Sequence, residues 1–120
     1  MKKIVLMVVA MMTMTMAHAE NENMNTTAGI EAYDMTINMR RLAVTLGLNK
    51  DQMEMVEDIY RNYCQEMMLA AHAEKSERRQ LVEKASQKNA RYMNYVLDKK
   101  QLRTYLMLLN ATLRNRGLID

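Results

Sequence analysis

The chain has no proline, no phenylalanine and no tryptophan, and only three glycines, two histidines and one cysteine in 120 residues. Each shortage excludes something. With Cys64 alone, no intramolecular disulfide can form, so no cystine framework holds the fold. The glycines stand apart at 29, 47 and 117 and build no phosphate-cradling loop, and no carboxylate series has a metal-binding spacing. His72 lies too far along the same stretch from Cys64 for Cys–His catalysis. No catalytic constellation is present, so neither an enzyme nor a cofactor is expected. Long stretches also contain nothing that breaks a helix.

What is present begins with a leader. Lys2 and Lys3 precede an apolar run, Ile4 to Ala10, that continues more weakly to Met16. Ala17-His18-Ala19 then matches a small-x-small cleavage site, which predicts a signal peptide over 1–19 and a cut before Glu20. The run falls short of the ~20 apolar residues that cross a bilayer, which argues against an anchor and for no stable membrane insertion after cleavage. No cysteine near the cut suggests a lipoprotein. The expected location is periplasmic or secreted. Of the 17 basic residues Lys2 and Lys3 leave with the leader, so 15 face 14 acidic ones. That balance, with export, argues against nucleic acid as a partner. A mature chain over 20–120 has the size of one domain, and a small helical protein gains from pairing, so a homodimer is expected.

Residues 20–28 are polar and read as a flexible lead-in to a single helical domain over 29–120. The spacing predicts a first helix over 29–46, with Ile30, Tyr33, Ile37 and Val44 on one apolar line and Gly47 ending it in a left-handed conformation. A second helix follows over 48–71. Asn49 is its N-cap, Asp51 complements the positive helix end, and Met53, Val56, Tyr60, Tyr63 and Met67 recur at steps of three and four. Residues 74–80 are polar throughout. A turn with Ser76 capping the next helix is expected there, the alternative being one long helix to about residue 96. A third segment, 77–97, carries Leu81, Ala85, Tyr92 and Val96, with Val82 and Met93 beside them. Asp98 opens a fourth, 99–116, with Leu102, Leu106, Leu109 and Leu113 on one face and Arg103, Arg114 and Arg116 on the polar side. Gly117 should end it, with Leu118 and Ile119 folding back. The expected class is all-α, a small helical hairpin or bundle of three to four helices.

One short pattern occurs twice. Leu48-Asn49-Lys50-Asp51-Gln52 returns as Leu97-Asp98-Lys99-Lys100-Gln101, each followed by an apolar residue. A leucine before the cap can pack on the fourth helical position, and a first-turn Gln can bond back to the cap. The pair resembles the Leu-Thr-x-x-Gln motifs of Spy/CpxP-type periplasmic proteins, with Asn49 and Asp98 standing where those proteins usually have Thr. The resemblance implies a small exported helical protein that dimerises through bent hairpins and holds unfolded clients without ATP. It makes Leu48, Asn49, Gln52, Leu97, Asp98 and Gln101 structural motif residues.

Binding residues are sought among the methionines and tyrosines. Met adapts to irregular apolar partners, and Tyr joins an apolar ring to a polar tip. Met53, Tyr60, Tyr63, Met67, Tyr92 and Met93 are the candidates for holding protein clients or one dedicated protein partner. Tyr95 and Tyr105 could extend that surface, though packing at core edges explains tyrosines equally well. Arg78, Arg79, Lys84, Lys88 and Arg91 could face an acidic client or lipid headgroups, but interleaved glutamates favour a solvated mixed-charge face. Cys64, Met68 and His72 share a helix face with soft ligand chemistry. They span ~12 Å of helix, too far to converge on one ion, so no metal is expected.

Overall fold

The computed structural model describes residues 27–119. The leader, its cut and residues 20–26 of the lead-in lie outside the described residues. Among the described residues five helices follow in order: α1 (Thr27–Glu31), α2 (Met39–Leu46), α3 (Lys50–Ala71), α4 (Lys75–Val96) and α5 (Lys99–Asn115). There is no strand among them, so the protein is all-α.

The helix number exceeds the expected three to four because the predicted first helix is two. The chain has no regular secondary structure over 34–38, and Asn38 at its end is extended. Two short polar side chains compete with the helix there. Asp34 Oδ1 accepts the Thr36 N–H at 3.0 Å, and Asn38 Oδ1 accepts the Arg41 N–H at 3.2 Å, which restarts the chain as α2. Val44, placed on the inward line by a continuous helix, consequently faces water.

Among the described residues Gly47 and Gly117 are the two with positive φ, at 68° and 74°. Each ends a helix. Leu48 N–H bonds to Ala43 O and Leu118 N–H to Leu113 O, both at 2.9 Å, so the residue after each glycine folds back. Leu118 is buried, as expected for that closure.

Helices α3 and α4 form an antiparallel hairpin. The break between them is shorter and earlier than expected: it occupies His72 to Glu74, and Ser76 lies inside the first turn of α4 rather than capping it. Arg78 Nε donates to Ala73 O at 3.0 Å and closes the turn. Tyr63 Oη with Ser86 Oγ at 2.8 Å, and Lys88 Nζ with Glu66 Oε2 at 3.3 Å, set the register of the hairpin. The core lies between the hairpin, α5 and α2, around Val56, Tyr63, Met67, Met93, Leu108 and Leu42. On α4 the buried line is Val82, Ala85, Asn89 and Met93. It runs one position beyond the expected Leu81 and Tyr92, which are exposed. Asn89 is buried there; Tyr105 Oη donates to its Oδ1 at 2.5 Å, while its Nδ2 has no hydrogen-bond partner.

Candidate functional site

The repeated pattern makes one structure. Asn49 Oδ1 accepts the Gln52 N–H at 2.7 Å, and Gln52 Oε1 accepts the Asn49 N–H at 3.1 Å. Asp98 and Gln101 do the same at 2.8 and 3.0 Å. Both are capping boxes, which satisfy N–H groups that a helix start leaves orphaned. The two glutamines then meet. Gln52 Nε2 donates to Gln101 Oε1 at 2.8 Å, and Gln101 Nε2 lies 3.3 Å from Gln52 Oε1. Each amide also reaches the end of the helix that precedes the other box. Gln52 Nε2 donates to Val96 O at 3.0 Å, and Gln101 Nε2 to Leu46 O and Gly47 O, each at 3.2 Å. Four helix ends are thus tied at one point, with both amide groups fully used. Leu48 packs against the core and Leu97 is inside it. All six motif residues therefore contribute to architecture, and this clasp holds the hairpin against α2 and α5.

A second tie lies beside α1. Arg116, expected on the polar side of α5, is only 5 % exposed. Its Nη1 donates to the carbonyls of Ala32 and Asp34 and touches Met35 Sδ at 3.7 Å. Tyr60 Oη donates to Met35 O at 2.5 Å. The carbonyls that the broken first helix leaves without helical partners are taken by these two side chains. Burial pulls the Arg116 pKa below its usual value, while Tyr60 and Asp34 oppose the shift. Burial raises the Tyr60 and Tyr105 phenols well above normal and pushes Tyr63 up to about 12, so all three keep their protons. Sequence spacing carries a hint of Arg116: it follows Leu109 by seven residues, on the apolar side of α5.

Of the six candidate binding residues, Tyr60, Tyr63, Met67 and Met93 are core residues and offer no surface to a partner. Tyr105 is buried too. Met53 is partly exposed and Tyr92 exposed. Cys64 is partly buried. Burial first, then the nearby Asp34 carboxylate, push its thiol up to about 11, which keeps it protonated and unreactive. Among the described residues, no three His, Cys, Asp or Glu side chains are grouped to hold a metal, and no helix is long and apolar enough to cross a membrane.

Among the described residues, five of the eight exposed large apolar side chains, Met55, Leu69, Leu81, Tyr92 and Tyr95, lie on the hairpin, the others being Ile30, Val44 and Met107. Met55, Ile59 and Glu66 fall at i, i+4 and i+11 of α3, which is one side of a helix. Leu81, Lys88 and Tyr92 fall at i, i+7 and i+11 of α4. The Glu66–Lys88 ion pair joins the two lines into one face. Lys88 Nζ also lies 5.8 Å from the Tyr92 ring centre. Tyr95, one turn beyond Tyr92, is 78 % exposed, and Met55 55 %. Leu69, one turn beyond Glu66, is 70 % exposed. Sequence reasoning misses Leu69, because the breadth of the apolar stripe hides which of its edges stays wet.

Fold and site together define a small all-α protein, a clasped helical hairpin with one apolar flank in water. Comparison with known proteins finds no matching family model, no similar curated protein and no matching solved structure.

Proposed function

We propose that the protein is a non-catalytic, client-binding or chaperone-like protein of the cell envelope, exported by the leader at 1–19 to the periplasm or beyond. The observation that carries this reading is the hairpin flank. Met55, Leu69, Leu81, Tyr92 and Tyr95 are solvent-exposed there, with Asp58, Glu66, Lys84, Lys88 and Arg91 among and around them. Grouped apolar side chains rimmed by polar ones are the usual form of a protein-binding surface. Tyr and Met suit loosely specified apolar segments, and the mixed rim gives such segments orientation without a fixed sequence. The likeness of the two Leu-Asx-x-x-Gln boxes to the Leu-Thr-x-x-Gln pair of Spy/CpxP-type proteins supports the same reading. The clasp supplies rigidity and the flank supplies contact.

The test is suppression of aggregation. The purified protein should hold unrelated unfolding clients in solution at near-stoichiometric ratio without ATP, and Tyr95→Ser with Met55→Ser should remove the effect. The second reading, an adaptor for one dedicated protein partner, is favoured by the defined charge pattern of the same flank. It requires that unrelated clients still aggregate while one protein is captured through these residues.

A further inference from the structure

The exposed charges are not spread evenly. Helices α3 and α4 mix both signs along their lengths, whereas α2 and α5 contain no Asp or Glu. Arg40 and Arg41 on α2, and Lys99, Lys100, Arg103 and Arg114 on α5, are exposed. The two helices lie side by side and antiparallel. Gln101 Nε2 bonds to Leu46 O and Gly47 O, which sets the end of α2 at the start of α5. Arg116 Nη1 bonds to Ala32 O and Asp34 O, which sets the chain before α2 at the end of α5. Both helices bury one side in the core shared with the hairpin, Leu42 and Leu46 from α2 and Leu108, Leu109 and Leu113 from α5. Their exposed sides therefore form the outer face of the layer that covers the hairpin. We propose that this face adsorbs to an anionic lipid surface, its cations on phosphate headgroups, without crossing the bilayer. The inference uses the envelope location of the reading above and does not depend on client binding.

Charge and apolar content together select that occupant. The ion pairs of Arg61 with Glu57 and Asp58, and of Lys88 with Glu66, all lie on the hairpin. Arg40, Arg41, Lys99, Lys100 and Arg103 have no ion-pair partner among the described residues. Asp34 and Asp98, which precede these helices in the chain, each give an oxygen to a backbone N–H, of Thr36 and Gln101. Asp51 and Asp98 stand at the clasp end with Lys99 and Lys100 and offset them, which leaves Arg40, Arg41 and Arg103 as the positive centre. A guanidinium fork matches two phosphate oxygens at once. Two apolar side chains stand in water among these cations. Val44, one turn from Arg40 and Arg41, is 76 % exposed, and Met107, one turn from Arg103, 51 %. A soluble polyanion has no use for them. A bilayer surface takes apolar tips into its headgroup region while cations hold its phosphates. Bases and acids nearly balance over 20–120, so placement of charge rather than its total drives the contact. Adsorption through α2 and α5 leaves the α3–α4 flank uncovered.

Vesicle flotation on charge variants tests this. The full chain and the chain from Glu20 are both used, because the leader alone can hold a chain to lipid, and each variant is read against wild type of the same length. Wild type from Glu20 should float with vesicles of mixed phosphatidylcholine and phosphatidylglycerol and not with phosphatidylcholine alone. The contact should fade with salt, as the screening length shrinks from about 10 Å at 0.1 M to about 3 Å at 1 M. A cation near such a surface is worth about fivefold in partitioning, so Arg40→Gln, Arg41→Gln and Arg103→Gln together should weaken it by about 100-fold. Lysine at the same three positions should restore most of the binding. A control triple on α4, Lys75→Gln, Lys84→Gln and Arg91→Gln, changes net charge equally and should leave binding close to wild type. All six side chains are exposed, so circular dichroism and melting should match wild type in both triples. Equal losses in the two triples, a lysine triple as weak as the glutamine one, or a wild type from Glu20 that ignores phosphatidylglycerol each overturn the proposal. Wild type that binds heparin but neither vesicle overturns the lipid assignment as well. The aggregation assay, run without lipid, reads the flank separately: its failure with vesicle binding intact removes the chaperone-like reading and leaves this one.

Discussion

Helix α3 is used in two opposite ways. Its first turn is locked: Asn49 and Gln52 are bonded to their own helix start, to Gln101 and to the end of α4. Its flank is left open, with Met55 and Leu69 in water. The polar residues of this molecule therefore make much of its tertiary order, while part of its apolar content lies outside. The difference separates a framework from a contact surface, and substitutions should respect it.

The largest effect is expected at the clasp. Gln101→Ala removes bonds to Asp98, Leu46, Gly47 and Gln52 together, and at about 1 kcal/mol per bond should cost roughly 4 kcal/mol in urea unfolding. Gln52→Ala should cost nearly as much, yet the double variant should fall well short of the sum, because either change alone already breaks the shared network. Additive losses would mean two independent caps.

Arg116→Met keeps the buried stem and removes the guanidinium. It should cost about 2 kcal/mol by exposing the need of the Ala32 and Asp34 carbonyls for a donor, and hydrogen exchange should quicken in α1 and over 34–38 before it does in α3. Uniform quickening would contradict a local tie.

Tyr105→Phe leaves Asn89 buried without its partner and should cost about 2 kcal/mol, whereas Asn89→Leu with Tyr105→Phe should return close to wild type. A pair as unstable as the single variant would show that the bond serves more than satisfying Asn89.

Alkaline pH offers a milder probe. Cys64, Tyr60, Tyr63 and Tyr105 all hold protons more tightly folded than unfolded. The unfolded chain therefore ionises first, and stability must fall as pH rises. For Cys64 the fall runs from 9.0 to about 11, with the tyrosines adding to it above 10.0. The melting temperature should drop across this range, and Cys64→Ala should flatten its lower part. A flat profile in wild type would place these groups in water.

The smallest effect on stability is expected at the flank. Tyr95→Ser should change unfolding free energy by no more than about 0.5 kcal/mol, although it removes the most exposed aromatic side chain of the contact face. A large loss would move Tyr95 from surface to framework and end the comparison.

Much of the framework is legible in the chain. Asn49 and Asp98 before polar first turns, Gln three residues after each, and glycines after apolar runs are local signals, and each acts within one helical turn. The α3 stripe is legible for the same reason. Spacing puts Tyr60, Tyr63 and Met67 on the right face, but it does not distinguish a face that meets its own chain from one that meets another. The break in the first helix is hidden because Asp34 and Asn38 compete with a helix only when distant groups, Tyr60 and Arg116, bond to the carbonyls that the break releases.

The sequence alone determined the capped starts of α3 and α5, the glycine-marked ends of α2 and α5, the all-α class and the recurrence of one motif. These rest on bonds between residues three to five apart and on a helical period of about 3.6 residues. Only the tertiary structure decided that Gln52 and Gln101 touch, that Arg116 turns inward, and that Met55, Leu69 and Tyr95 remain in water. Those outcomes depend on how the helices share a limited interior, and no local rule contains that geometry.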